Sequence, residues 1–269
     1  MECGEMNPTQ AQRAETFLAL HSAEPFIIPN PWDAGSAKVL EAIGFKALAT
    51  TSSGFAFTLG RADGGAGLQD VVEHVRLLNH STSLPISVDL ENGYGPEPQD
   101  AASSVTSVAQ AGAVGGSIED YDPAGYIYSL TQATERVAAA CEAARRLDFP
   151  FVVTARAENH IRGNPDLDDT IARLQAYEKA GADVLYAPGF SSAEEIRTVC
   201  RATTKPLNVL ARPSLSLAEI VEAGAQRISV GGALTWVAIT AMATAAERIY
   251  REGDFSSLEG PAQVKRWLG

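Results

Sequence analysis

The chain has 269 residues, 45% hydrophobic and 20% charged, a balance that supports a packed core and excludes a disordered, fibrous or coiled-coil protein. Its 21 Lys and Arg against 33 Asp and Glu leave a formal charge of -12, the wrong sign for a molecule that grips a phosphate backbone, so nucleic acid is excluded as the main partner. The acidic surplus by itself reads as a solvated surface.

In chain order, the start Met1-Glu2-Cys3-Gly4-Glu5 is acidic and lacks the basic head and apolar stretch of a signal peptide. A first strand is predicted over Phe26 to Pro29, and the Asn30-Pro31-Trp32-Asp33 that follows is not the glycine-rich turn of a dinucleotide-binding domain. A second strand, Ala47 to Ser52, runs into Thr50-Thr51-Ser52-Ser53-Gly54, a cluster of hydroxyls and amides suited to a carboxylate or phosphate, or simply a turn. Asp63 follows in the glycine-rich loop Leu59 to Gly65.

The third strand, Ile86 to Glu91, alternates Ser87, Asp89 and Glu91 with Val88 and Leu90, which places two carboxylates about 7 Å apart on one face. The fourth, Gly115 to Glu119, points Glu119 the same way. Three acids are expected to converge, and in a low-dielectric mouth they need a cation, a base or a proton; an all-oxygen set suits magnesium or manganese. Cys141 falls in a helical pattern from Thr134 to Leu147 and reads as packing. The fifth strand, Phe151 to Arg156, puts Thr154, Arg156 and Glu158 on one face, so that the Arg156 fork would meet a substrate carboxylate or neutralise the acids. His160, just beyond, is a possible proton shuttle or a loop residue.

The sixth strand is Val184 to Ala187, and the seventh, Leu207 to Leu210, carries inward-facing Asn208 as an uncharged donor. The eighth, Arg227 to Val230, leads into Gly231-Gly232, either a phosphate site at a helix start or a close packing contact. The uncharged run Ile228 to Ala246 is broken by those glycines and diluted with Ala and Thr, so no membrane span is expected. Cys3, Cys141 and Cys200 are far apart and outside any C-x-x-C spacing, which fits a reducing cytoplasm.

Gln110-Ala-Gly-Ala113, Lys179-Ala-Gly-Ala182 and Glu222-Ala-Gly-Ala225 each precede a strand, with Ala42-Ile-Gly-Phe45 a looser copy; each glycine reads as a left-handed helix cap. Ser192 and Ser214 or Ser216 mark helix starts. Eight such strand and helix units predict an α/β protein, a single (β/α)8 TIM-type barrel domain over 1-269 with its core at about 25-250. The polar residues at the strand ends then share one mouth.

Asn30-Pro31-Trp32-Asp33-Ala34-Gly35-Ser36-Ala37, Thr51-Ser52-Ser53-Gly54, Val88-Asp89-Leu90-Glu91-Asn92-Gly93-Tyr94-Gly95, Ser117-Ile118-Glu119-Asp120 and Thr154-Ala155-Arg156-Ala157-Glu158 together resemble the isocitrate lyase and phosphoenolpyruvate mutase superfamily, over roughly Pro25 to Ala241. The resemblance implies a barrel assembled as a dimer of dimers with a C-terminal helix exchanged between neighbours, binding Mg2+ and an α-oxo acid. It implies Asp89 as the direct metal ligand, with Glu91 and Glu119 acting through water, and Thr51, Ser52 and Ser53 on a substrate carboxylate. Arg156 would contact the carboxylate and oxo group, Asn208 would lie near the distal part, and Asp63 would occupy the loop aspartate position.

Two departures matter. Where lyases of the superfamily carry K-[KR]-C-G-H, this chain has Tyr121 to Tyr128 without Cys, Lys or His, and Tyr186-Ala187-Pro188-Gly189-Phe190 stands in place of the lyase glutamate. A cysteine-dependent isocitrate or methylisocitrate lyase is therefore disfavoured. The reading is an Mg2+-dependent (or Mn2+-dependent) lyase that decarboxylates an oxaloacetate-like acid through an enolate, with the proton donor open among water, Tyr121, Tyr126 and Tyr128. The alternatives are P–C bond chemistry on phosphonopyruvate or phosphoenolpyruvate, and a barrel that binds an α-oxo acid without turning it over.

Overall fold

A computed structural model of the chain describes residues 7–258 and 264–268; Met1-Glu2-Cys3-Gly4-Glu5 lies outside them. Eight strands appear where the sequence places them: β1 (Phe26–Ile28), β2 (Leu48–Ala49), β3 (Ile86–Asp89), β4 (Gly115–Glu119), β5 (Val152–Arg156), β6 (Val184–Tyr186), β7 (Leu207–Leu210) and β8 (Arg227–Ser229). All pair in parallel in the order β2-β3-β4-β5-β6-β7-β8-β1. The seam between β1 and β2 is drawn together by the Ala49 N–H on the Pro29 carbonyl at 3.0 Å. Buried Asn30 fastens it further, donating to the Thr50 carbonyl at 3.0 Å and accepting from the Val230 and Gly231 amides at 3.0 and 2.9 Å. One amide thus joins β1, β2 and the end of β8, and the amides after β8 are already occupied.

The helices are α1 (Gln10–Leu20), α2 (Ala34–Ile43), α3 (Ser52–Thr58), α4 (Leu68–Ser81), α5 (Pro98–Gln110), α6 (Leu130–Arg145), α7 (Leu167–Ala180), α8 (Ala193–Ala202), α9 (Leu217–Glu222), α10 (Ala233–Glu252) and α11 (Val264–Leu268). The glycines of the sequence repeat, Gly44, Gly112, Gly181 and Gly224, all take left-handed φ values of 111, 110, 107 and 108°, a geometry that any Cβ would strain. Ser192 and Ser216 accept the N3 amides of α8 and α9. The main core lies between the outer faces of the strands and these helices; a smaller cluster of Ala14, Phe17, Ile28, Ala47, Val114, Val152 and Val184 lets α1 plug the bottom of the barrel.

Two strands end two or more residues short of their predicted limits, and both bear on the site. The second strand stops at Ala49 because the Thr51 hydroxyl takes the Gly54 amide at 3.4 Å and starts α3, so the hydroxyl cluster is a helix start. The third stops at Asp89; Glu91, Gly93 and Tyr94 follow with φ of 49, 83 and 61°. Glu91 is therefore carried by a left-handed turn, and the period of two that pairs it with Asp89 in the sequence does not hold. Between β4 and α6 a short antiparallel hairpin pairs Tyr121–Asp122 with Tyr126–Ile127. Among the described residues no helix is long and apolar enough to cross a membrane. Helix α10 leaves the barrel with Thr235 as its one buried residue and Trp236, Val237, Met242 and Tyr250 exposed.

Candidate active site

The strand ends enclose two chambers that share Arg156. The inner one, about 60 Å³, is lined by Asn30, Thr50, Thr51, Asp89, Arg156, Tyr186, Asn208, Arg227 and Ser229 among others. The outer one, about 470 Å³, is lined by Ser52, Asp63, Gly64, Glu91, Asn92, Glu119, Tyr121, Pro123, Arg156 and Arg162. Asp89 looks down into the first, while Glu91, Glu119 and Asp63 face the second.

Asp89 is placed by backbone on both sides. Its amide donates to the Thr50 hydroxyl at 2.9 Å, and its carboxylate accepts the Ser52 and Glu91 amides, each at 3.2 Å. The start of α3 is therefore tied to the end of β3. Glu91 is pushed up to about 7 by burial and by the charges of Asp89 and Asp63. Tyr94 reaches its carboxylate at 3.5 Å.

Arg156 sits in a closed ring of alternating charge. It meets Glu119 at 3.3 Å and bonds Glu158 through Nε, while Arg162 meets Glu158 at 3.0 Å and Glu119 at 4.0 Å. Glu158 is fully buried, a position a carboxylate holds only when paired on both sides. Burial drives the Glu119 carboxyl well above the usual range against the pull of Arg156, with Glu158 and Asp89 adding to the rise. The Arg156 guanidinium also lies over the Tyr186 ring at 5.1 Å, and that of Arg162 over Tyr121 at 3.7 Å. The structural ion pair considered for Arg156 is thus present, and the residue still faces both chambers.

Several sequence expectations change. The three acids do not form one ligand shell: among the described residues no group of three or more His, Cys, Asp or Glu side chains is arranged to hold an ion. The turn after Asp89 swings Glu91 to the outer chamber, and Glu119 is engaged by two arginines. The charge of Asp89 contributes to the rise of both Glu91 and Glu119. Thr51 and Ser52 line the chambers, but Ser53 lies against Gly232, where a Cβ would come within 2.6 Å of its hydroxyl. Gly232 is therefore a close packing contact, and the Gly231 amide is taken by Asn30.

Asn208 lines the inner chamber, yet its amide is spent on Ser229 at 3.0 Å and on the Nε–H of Arg227 at 2.9 Å. Arg227, buried and lowered to about 10 by that burial, also donates to Thr154 at 2.9 Å. It lies 3.3 Å from His21, which burial and this arginine hold down to about 3, so the ring stays a neutral acceptor. His160 lines neither chamber; its Nε2 is 3.9 Å from Glu195. Cys141 and Cys200 are free thiols outside the mouth, pushed up to about 12 and 11 by burial. Asn30, Arg162, Tyr186 and Arg227 have no role in the sequence reading. Asn30 and Tyr186 stand in motifs quoted there, and Arg162 could have been found one helical turn after Glu158.

The barrel has solved and sequenced counterparts. A Burkholderia cenocepacia J2315 structure provisionally described as a lyase or mutase is 48% identical, covers 97% of this chain and 96% of its own, and superposes with a TM-score of 0.93. The 2-methylisocitrate lyase of Escherichia coli K12 is 31% identical over 230 residues, 81% of this chain and 72% of that enzyme. The oxaloacetate decarboxylase of Bradyrhizobium sp. BTAi1 is 29% identical over 267 residues, 96% of this chain and 88% of that enzyme. The family model described as phosphoenolpyruvate phosphomutase matches residues 17–250, from the plug helix through the last barrel strand and α10, and the chain belongs to that family, within the phosphoenolpyruvate mutase and isocitrate lyase superfamily.

Proposed function

We propose that this protein is a divalent-cation-dependent carbon–carbon lyase for small α-oxo acids, and that its reaction is the loss of CO2 from an oxaloacetate-like dicarboxylic acid. The observation that carries the reading is the juxtaposition of Asp89 and Arg156 on one inner chamber. The donor set fits Mg2+ or Mn2+, which take one or two carboxylates and keep several waters. Asp89 would hold the ion directly, and Glu91 and Glu119 would reach it through water. Glu91 supports the fit, since burial lifts it to about 7 beside Asp89 and Asp63, the state of a site short of positive charge. When bound, the cation supplies a Lewis acid that polarises the oxo group.

The chain's own groups do the rest. Arg156 faces the developing enolate oxygen with a charge that its pairing with Glu119 and Glu158 keeps in place. The Thr51 hydroxyl and the Ser52 side chain border the position of the substrate carboxylate. Breaking the bond to CO2 requires no general base, which matches a hairpin without Cys, Lys or His from Tyr121 to Tyr128. One relative, a decarboxylase of oxaloacetate, supports the substrate class, and another, a lyase of 2-methylisocitrate, supports carbon–carbon cleavage.

Proton and phosphorus NMR of the protein with Mg2+ and, in separate tubes, oxaloacetate, 2-methylisocitrate and phosphonopyruvate tests the reading. Pyruvate is expected from oxaloacetate above the metal-only rate, lost in EDTA and restored by Mg2+ or Mn2+. Phosphorus changes would transfer the activity to P–C chemistry, and silence in every tube would remove the oxaloacetate reading in favour of a barrel that only binds or one that acts on another acid. The reading includes a homo-oligomer built on the exposed apolar face of α10; light scattering is expected to give a multiple of 28.4 kDa, and a monomer mass would remove it.

A further inference from the structure

The enolate left by loss of CO2 needs a proton at carbon, and most tyrosines around the mouth are committed elsewhere. The Tyr128 hydroxyl donates to Asp122 at 2.6 Å and accepts from Asn92 at 3.0 Å. Tyr126 packs edge-on against Tyr128 with 49% of its surface exposed. Tyr121 lies under the Arg162 guanidinium, and the Tyr94 hydroxyl faces Glu91. Tyr186 is different. It is the last residue of β6, in register with Arg156 on one side and Asn208 on the other. It is 8% exposed and shares the inner chamber with Thr51, Asp89 and Asn208. Its ring lies beside the Arg156 guanidinium, and Arg227 and Ser229 line the same chamber.

Resting on the lyase reading above, we infer that Tyr186 is the catalytic proton donor to the enolate carbon. Its O–H bond breaks and the proton joins the electron pair at C3 of the enolate to form a C–H bond. The enolate oxygen becomes the oxo group of the product, and no oxidant or reductant takes part. The tyrosinate left behind faces Arg156 and Arg227 and recovers its proton from solvent. Burial holds the phenol above its ordinary range against the pull of Arg156, and a phenol carries its proton at neutral pH in any case. Its place in a chamber of about 60 Å³ delivers the proton from one side only.

The test follows the methyl signal of pyruvate in D2O with Mg2+ by proton NMR. This exchange requires the enolate and the proton transfer but no C–C cleavage. The wild-type protein is expected to exchange the methyl hydrogens. Tyr186→Phe is expected to slow exchange by about 100-fold or more, with the thermal midpoint and the affinity for oxalate, a planar enolate mimic that accepts no proton at carbon, unchanged. Wild-type exchange in Tyr186→Phe alongside continued decarboxylation of oxaloacetate would overturn the assignment and leave the lyase reading standing. Loss of oxalate binding together with exchange would make Tyr186 structural and also overturn it. A wild-type protein that neither exchanges pyruvate nor decarboxylates oxaloacetate would remove both readings, and one that decarboxylates without exchange would remove only the donor.

Discussion

Asp89→Ala is expected to lower metal-dependent kcat/KM by about a thousandfold or more while leaving the fold intact, because an electrostatic centre aimed at developing charge carries the reaction. The carboxylate supports the structure through two amide contacts, from Ser52 and Glu91, each at 3.2 Å. Losing a pair of such bonds costs roughly 1–2 kcal/mol, a shift of several degrees in thermal midpoint. Thermal unfolding beside a Mg2+ titration of the activity checks both halves. Wild-type turnover in Asp89→Ala would remove the proposed metal position, and collapse of the fold would show the residue to be part of the framework.

Arg156→Ala is expected to abolish turnover to a similar degree and, unlike Asp89→Ala, to destabilise the protein. Its removal leaves fully buried Glu158 with Arg162 alone and takes a guanidinium from Glu119. Breaking a buried pair from one side costs about 3–5 kcal/mol, mostly the desolvation of the charge left behind. Urea unfolding then shows a lower midpoint without a change in slope. Arg156→Lys keeps the charge but loses the fork that spans Glu119 and Glu158, so it should fall between the two. Arg156→Ala/Glu158→Gln is expected to recover part of the stability and none of the activity. That result separates the structural ring from the catalytic charge; recovery of activity in the double variant would show that the arginine serves the ring alone.

These expectations rest on residues of unequal legibility. Asp89, Glu119, Arg156 and Asn208 stand at the ends of β3, β4, β5 and within β7, where the order of strand and helix already places them. Glu91 shows the limit of that logic. The alternation Ser87, Asp89, Glu91 is genuine, but the strand ends at Asp89, and Glu91 with φ 49° turns toward another chamber. The direction of a side chain in the last residues of a strand is set by the loop that follows, and here Glu91, Gly93 and Tyr94 take left-handed conformations instead of continuing the pleat. Ser53 is absent from the lining of either chamber for a related reason: Thr51 caps α3, and the helical turn carries Ser53 round to Gly232.

The residues without a role in the sequence reading are those whose meaning lies in a partner distant in the chain. Asn30 acts across 200 positions on the Val230 amide, and Arg227 acts on Thr154 and His21 across the barrel. Tyr186 is visible in the sequence only as a departure from the lyase pattern; its register with Arg156 and Asn208 gives it a place beside Asp89. By itself, the sequence determined the eight strands, their order along the chain, the glycine caps and the gathering of acids and one arginine at the strand ends, because periodicity and capping are local properties of the chain. The tertiary structure decided the seam stapled by Asn30, the division of the acids between two chambers, the ring that holds Arg156 and the exposure of Tyr186 to the inner chamber. Each depends on groups far apart in sequence meeting in a low-dielectric interior, where an unpaired charge or amide costs more than the chain can tolerate.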